Sequence, residues 1–213
     1  MFDPFDLSEF DGDVYVTSDE HYGHRRINEL AGRPFSSVEE MDETIIARHN
    51  ETVGPHALTI HLGDYALGDR HRGLSYLSRL AGYHLLIDGN HDKCFHGDPK
   101  GWRYTREYLD AGFITVTSSM VLRLPSTRPH GPRRTVLLSH FPYAADHTDQ
   151  VRFAELRLRD TGSWLVHGHV HGAYTVRNRG VNVGVDRWDF RPVPLLEVAT
   201  LIDDVEAGRR SED

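Results

Sequence analysis

Five short apolar runs, rich in β-branched residues, each end abruptly in side chains that can bind a metal. "VYVTS" (14–18) leads into Asp19 and His21, and "ALTIHL" (57–62) into Gly63 and Asp64. "HLLID" (84–88) leads into Gly89, Asn90, His91 and Asp92, and "TVLLS" (135–139) into His140. "SWLVH" (163–167) leads into Gly168, His169, Val170 and His171. Apolar runs this short, bounded by turn residues, read as buried strands. In open α/β sheets, sites form beyond the carboxyl ends of the strands. A fold that lays these strands side by side therefore brings five ligand-bearing segments to one edge.

The stretches between the strands fit that picture. "SSVEEMDETIIARHNET" (36–52) opens with serines and has a glutamate three positions on, the pattern of a capping box. Its Val38, Met41, Ile45 and Ile46 recur at helical spacing. Helices are also predicted over 72–82, ending at Gly82, over 101–113 and over 148–159. Two further runs, "VNVGV" (181–185) and "VPLLEV" (193–198), read as closing strands. Strands alternating with helices predict an α/β layered fold. The more β-rich second half predicts a second sheet packed on the first. Residues 1–202 read as one domain, and the polar 203–213 as a fraying tail.

Composition narrows the function classes. The chain has 213 residues, enough for one sizeable core. Its formal net charge of −8 gives no general grip on a long nucleic acid. No run approaches the roughly 18 apolar residues of a membrane span. The start, "MFDPFDLSEFDGD", is acidic and lacks the basic, then apolar, character of a secretory leader. A single cysteine, Cys94, suits a reducing compartment and reads as an inert small side chain. The 15 histidines against 24 Lys plus Arg point toward metal chemistry.

The densest histidine run, His167, His169 and His171, projects to one side if the backbone is extended. Alone it leaves open a metal site, a pH-sensitive patch or an unusual piece of sheet. Imidazole with carboxylate and amide oxygens suits Mn, Fe or Zn better than soft copper chemistry.

The ordered series Asp19-Glu20-His21, Gly63-Asp64, Gly89-Asn90-His91-Asp92, Ser139-His140 and Gly168-His169-Val170-His171 resembles the calcineurin-like metallophosphoesterases. The likeness runs from about residue 14 to 198. "SDEHYGHRRI", "RPFSSVEEMDETI" and "NVGVDRWDFRPV" resemble the small bacterial and phage-encoded members. The resemblance implies a two-sheet sandwich flanked by helices in four layers, around a binuclear centre. Asp19, His21, Asp64 and His171 would hold one divalent ion. Asp64, Asn90, His140 and His169 would hold the other, with Asp64 bridging. Mn²⁺ is favoured, with Fe or Zn as alternatives. With two anionic ligands, two dications leave the site about two charges positive, which attracts a phosphoryl oxygen despite the acidic chain.

The resemblance further implies in-line attack by a metal-bridging hydroxide, with His91 protonating the leaving oxygen. Asp92 either orients His91 or caps its own loop. His24 either touches a substrate phosphate or starts a helix near Gly23. Arg33, like Arg25 and Arg26, would grip phosphate by forked hydrogen bonds. His167 matches no ligand position.

The Ser/Thr protein phosphatases of that superfamily resemble G-D-x-x-D-R-G after the second motif. "GDYALGDR" (63–70) lacks that second Asp and Arg at the matching positions, and the third motif ends in Asp92 rather than Glu. Both departures argue against a phosphoprotein substrate. The expected activity is hydrolysis of small nucleotide-type phosphodiesters, 2′,3′-cyclic nucleotides among them. Phosphomonoester hydrolysis, or a noncatalytic scaffold, is the alternative. Expected partners are a small phosphorylated substrate and a second copy in a symmetric dimer, with no membrane and no long nucleic acid. The expected location is the cytoplasm, that of the host for a phage-encoded chain.

Overall fold

The first apolar run forms β1 (Val14–Thr17), and its neighbours follow in the order that parallel pairing requires. A computed structural model describes residues 12–127, 133–144, 146 and 150–213. The short helix α1 (Ile27–Leu30) and the long α2 (Val38–Thr52) carry the chain from β1 to β2 (Leu58–His61). The capping box is present: Ser37 Oγ accepts from the Glu40 amide at 3.1 Å, and the Glu40 carboxylate accepts from the Ser36 amide at 2.8 Å. Helix α3 (Arg70–Ser75) leads to β3 (Tyr83–Ile87), and α4 (Thr105–Ala111) to β4 (Val116–Thr117). These strands pair in parallel as β1-β2-β3-β4.

The second sheet starts with β5 (Ser119–Arg123), antiparallel to β6 (Thr135–Ser139). It continues through β7 (Trp164–His167), β8 (Val176–Arg177) and β9 (Gly180–Asn182), in the spatial order β5-β6-β7-β9-β8. Strand β10 (Val193–Pro194) returns to the first sheet, antiparallel to β1, and α5 (Leu195–Glu206) follows. The chain thus forms the expected α/β fold of two packed five-stranded sheets with flanking helices.

Alternating side chains explain the layers. Leu85 and Ile87 of β3 face the second sheet, joining Val16, Ile60, Leu122, Leu138, Val166 and Val181 in one core. Leu86 points the other way, into a core with Met41, Ile45, Leu74 and Tyr108. The helices do not divide evenly. α2, α3 and α4 cover the outer face of the first sheet, whereas α5 sends Val198, Leu201 and Ile202 into the core between the sheets.

Several boundaries differ from the sequence reading. "VPLLEV" is two residues of strand and then helix, because Leu195, Val198, Leu201 and Ile202 share one helical face. The polar 203–213 is not a free tail: α5 runs through Glu206, and the Asp213 carboxylate accepts from the Thr175 and Val176 amides at 3.0 and 2.8 Å. The 72–82 helix starts earlier, at Arg70 behind an Asp69 cap, and tightens into a 3-10 turn over Tyr76–Arg79. Over 101–113 a 3-10 turn, Gly101–Tyr104, precedes α4, which stops at Gly112 with φ 124°.

Of the helix expected over 148–159, positions 148 and 149 lie outside the described residues. The rest holds only a 3-10 turn, Ala154–Leu156. Left-handed backbone at Phe153 (φ 54°) breaks the helix, and the Arg157 guanidinium ties the segment back to the Arg152 and Pro142 carbonyls.

Candidate metal centre

The turns that follow β1 and β2 are stitched together. The Asp19 amide donates to Gly63 O and the His21 amide to Asp64 O, both at 3.0 Å. These bonds bring the first two motifs to one edge of the first sheet. Five motif residues hold left-handed backbone: Asp19 (φ 59°), His21 (56°), Asp64 (57°), His169 (72°) and His171 (49°). Non-glycine residues in this region carry strain of order 1–3 kcal/mol each, and such strain gathers where geometry serves a site. Two glycines allow close approach. A Cβ on Gly89 would land on the Asp64 carboxylate and amide, and one on Gly168 on Ser18 Oγ and the Asp19 carboxylate.

Two overlapping groups of ligand atoms result. Asp19, His21 and His171 offer atoms within 4.8 Å of one another, as do Asp19, Asp64 and His140. Asp64 Oδ2 stands between the two, 3.7 Å from His21 Nε2 and 3.4 Å from His140 Nε2. Asn90 Oδ1 is 3.2 Å from the same His140 nitrogen. His140 Nδ1 donates to Leu62 O at 2.7 Å, which turns Nε2 toward the carboxylate.

His169 reaches the edge differently. Its amide donates to both Asp19 carboxylate oxygens, at 2.9 and 3.1 Å, while its Nε2 faces Asp146 at 3.1 Å. It lies beside His140, ring centres 5.2 Å apart, but in neither group.

Whether these residues fit divalent ions can be tested on His21. Both its ring nitrogens are buried without a hydrogen-bond partner, and its ring stacks on His171 with centres 5.1 Å apart. A buried imidazole in that state lacks its usual compensation, which a cation would supply. The donor set of imidazole, carboxylate and amide oxygens suits Mn, Fe or Zn. The residues fit.

The electrostatics agree. Burial holds the His21 imidazole well below its ordinary range, in the neutral form that ligates. Burial opposes the Asp64 charge, yet His140 and His21 outweigh it and keep the carboxyl well below the usual range. For His140, burial is outweighed by Asp64 and Asp19, which push it up to about 9.

The residues assigned to catalysis and substrate separate sharply. The His91 amide donates to Asp64 Oδ1 at 2.8 Å, and its exposed imidazole lies 5.5 Å from the His21 ring in the mouth of a cleft. His24 is half-buried in the same cleft, its ring 5.6 Å from His21.

Of the two roles open to Asp92, the structure has the loop cap and not the orienting of His91. Its carboxylate is buried and accepts from the amides of Asp64, Gly89 and Tyr65, at 2.8, 2.9 and 3.1 Å. It shapes the ligand loops instead. Arg33 likewise does not face the cleft. Its buried guanidinium donates to Asp19 O, Glu20 O and both Asp186 oxygens, between 2.6 and 2.9 Å. His167 is fully buried on β7, bonded through Nδ1 to Gly168 O and edge-on to Tyr174, outside the ligand groups.

Sequence reasoning missed the carboxylates behind the candidate ligands. Asp186 accepts from His171 Nδ1 at 3.2 Å while gripped by Arg33, and Asp146 faces His169 while paired to Arg157 at 3.0 Å. Such partners fix a ligating imidazole's orientation and raise its basicity. Only "NVGVDRWDF", which contains Asp186, offered a signal. A buried chain was also missed: Glu20 Oε1 bonds His61 Nδ1 at 2.7 Å, and His61 Nε2 bonds His84 Nδ1 at 3.1 Å. Burial pushes Glu20 up to about 8 and His61 down to about 3, so this chain is neutral.

Fold and site together define a class: a two-sheet α/β sandwich with a buried histidine–carboxylate group beyond the carboxyl ends of its strands. The chain belongs to the family of the mycobacteriophage gene 66 proteins. It is 35% identical over 202 residues to the Gene 66 protein of Mycobacterium phage D29, spanning 92% of this chain and 98% of that one. With the Gene 66 protein of Mycobacterium phage L5 it shares 33% identity over 199 residues, 90% of this chain and 95% of the relative. The crystal structure of a protein of unknown function from Aquifex aeolicus has the same fold, with a TM-score of 0.65 at 24% identity, covering 90% of this chain and 100% of that one. No protein-family model matches the sequence.

Proposed function

We propose that this protein is a calcineurin-like metallophosphoesterase that hydrolyses small, nucleotide-type phosphodiesters. The observation that carries the reading is the meeting of Asp19 and His21 with Asp64 and His140 from two further segments, with both His21 ring nitrogens buried without a hydrogen-bond partner. Asp19, His21, Asp64 and His171 would hold one divalent ion, and Asp64, Asn90, His140 and His169 a second, Mn²⁺ being favoured. When bound, such ions acidify water and neutralise phosphoryl charge.

The chain's own residues supply the rest. Asp186 and Asp146 hold the imidazoles of His171 and His169 in place. Asp64 anchors the His91 amide, which sets the His91 side chain over the cleft, where its ring nitrogen can give a proton to the leaving oxygen. The cleft, about 590 Å³, is lined by His21, His24, Asp64, His91, His169 and His171. In this reading the protein works in the cytoplasm, that of the host for a phage-encoded chain. Among the described residues no helix is long and apolar enough to cross a membrane.

The test loads the protein with Mn²⁺ and compares an aryl phosphodiester with its matching monoester. The diester should turn over faster, and His91→Ala should keep Mn²⁺ affinity while losing about 10²–10⁴-fold in diester turnover. A marked monoester preference would reassign the centre to phosphomonoesters. Absence of Mn²⁺ binding in the parent would end the proposal.

A further inference from the structure

Glu20 stands between two candidate ligands and belongs to neither group. Asp19 and His21 offer atoms to an ion, whereas Glu20 turns its carboxyl away from them, to His61 on β2. There Oε1 bonds His61 Nδ1 at 2.7 Å, and His61 Nε2 bonds Nδ1 of His84 on β3 at 3.1 Å. All three side chains are buried.

Their surroundings are closely packed. The His61 ring stands edge-on to Tyr65 and Phe113, with centres 5.2 and 5.5 Å away. His49 of α2 closes the far side, its ring 5.5 Å from that of His84. An apolar side chain would fill the place of Glu20 without the cost of stripping water from a carboxyl. What the carboxyl supplies instead is direction, because a short buried hydrogen bond selects one rotamer where packing alone admits several.

That direction bears on the backbone. Asp19 and His21, on either side of Glu20, both hold left-handed conformation, at φ 59° and 56°. Such backbone persists only where its surroundings over-determine it. The Asp19 and His21 amides are tied to Gly63 O and Asp64 O, and the Arg33 guanidinium holds the Asp19 and Glu20 carbonyls. These ties grip the main chain. The Glu20 carboxyl adds a tie through the middle side chain, and it runs to two strands of the first sheet.

We propose that Glu20 and His61 are positioning residues for the ion site: their bond, backed by His84, fixes the Asp19–His21 turn so that the Asp19 carboxylate and the His21 imidazole face one ion together. Neither Glu20 nor His61 touches ion or substrate. This inference rests on the metal-centre reading above and adds the side chains that hold its first motif.

The test measures Mn²⁺ affinity of the full chain by calorimetry, and urea unfolding with chelator present, in the parent and its variants. Glu20→Leu breaks the bond from one end. His61→Phe breaks it from the other, keeps a ring against Tyr65 and Phe113, and leaves the ligand-bearing turn itself unaltered. Each should weaken Mn²⁺ by about tenfold or more, the scale for residues that orient a metal ligand. Glu20→Gln, whose amide can donate to Nδ1 or accept from it, should recover most of that loss. The double variant Glu20→Leu with His61→Phe should lose no more than the larger single loss, because both remove the same bond. Parent-like Mn²⁺ affinity in Glu20→Leu and His61→Phe, with only the urea midpoint lowered, would overturn the proposal. A loss in Glu20→Gln equal to that in Glu20→Leu would do the same. Should Glu20→Leu fail to fold, His61→Phe against Glu20→Gln decides. Failure of the parent itself to bind Mn²⁺ would remove the metal centre, and this role with it.

Discussion

Arg33 and Asp186 join the first motif to the last, so removing one partner should cost far more than its share of contacts suggests. The side chains are 0% and 6% exposed, and two bonds of 2.8 and 2.9 Å link them. Asp186→Ala leaves the guanidinium buried without its carboxylate, with the Asp19 and Glu20 carbonyls and the Met41 sulfur to accept from it. Breaking one side of a buried pair costs roughly 3–5 kcal/mol. For a chain of this size each kcal/mol moves Tm by about 2–4 °C, so the loss should be about 6–20 °C. Arg33→Met should cost a similar amount, because it leaves the buried carboxylate with His171 in place of the guanidinium and removes a donor from two buried carbonyls.

The double variant Arg33→Met with Asp186→Leu removes both charges. It should fall short of the summed single losses by about 2 kcal/mol or more, the coupling expected of residues in one network. Urea unfolding with chelator present measures all three without the extra stability a bound ion would add. Single losses under about 1 kcal/mol, or additivity within about 0.5 kcal/mol, would refute the claim that this pair braces the site.

Two further outcomes follow from the same geometry. Burial lowers His49 to about 4, so the folded chain keeps it neutral while the unfolded chain takes a proton below its ordinary value near 6.5. Its contribution is present above that value and is lost as pH falls toward the folded value. The stability advantage of the parent over His49→Gln should therefore shrink by about 2 kcal/mol between pH 7 and pH 5 in paired urea titrations. A pH-independent difference would show that His49 is not held neutral. Gly89→Ala would push a Cβ into the Asp64 carboxylate, so Mn²⁺ affinity by calorimetry should fall about tenfold or more. Unchanged affinity would mean that Asp64 is not part of the ion site.

Local patterns carried much of the architecture. The apolar runs that became β1, β2, β3, β6 and β7 were legible because each is short, apolar and cut off by glycine or polar residues. α2 was legible through its capping box, a contact between residues three and four apart. Periodicity failed where helix and strand are both apolar, as at Leu195–Val198, and where a long-range tie overrode propensity, as at Arg157.

Sequence alone determined which residues could ligate, because chemical type and order are written in the chain: Asp19, His21, Asp64 and His140 all meet at one edge. Tertiary structure alone decided which polar residues support the candidate ligands. Arg33 and Asp186 are 153 positions apart, and Asp92 reaches Asp64 across 28. Arg33 and Asp92 could as well have faced solvent or substrate. Packing buried them, and a buried charge or carboxylate must find partners wherever the fold brings them.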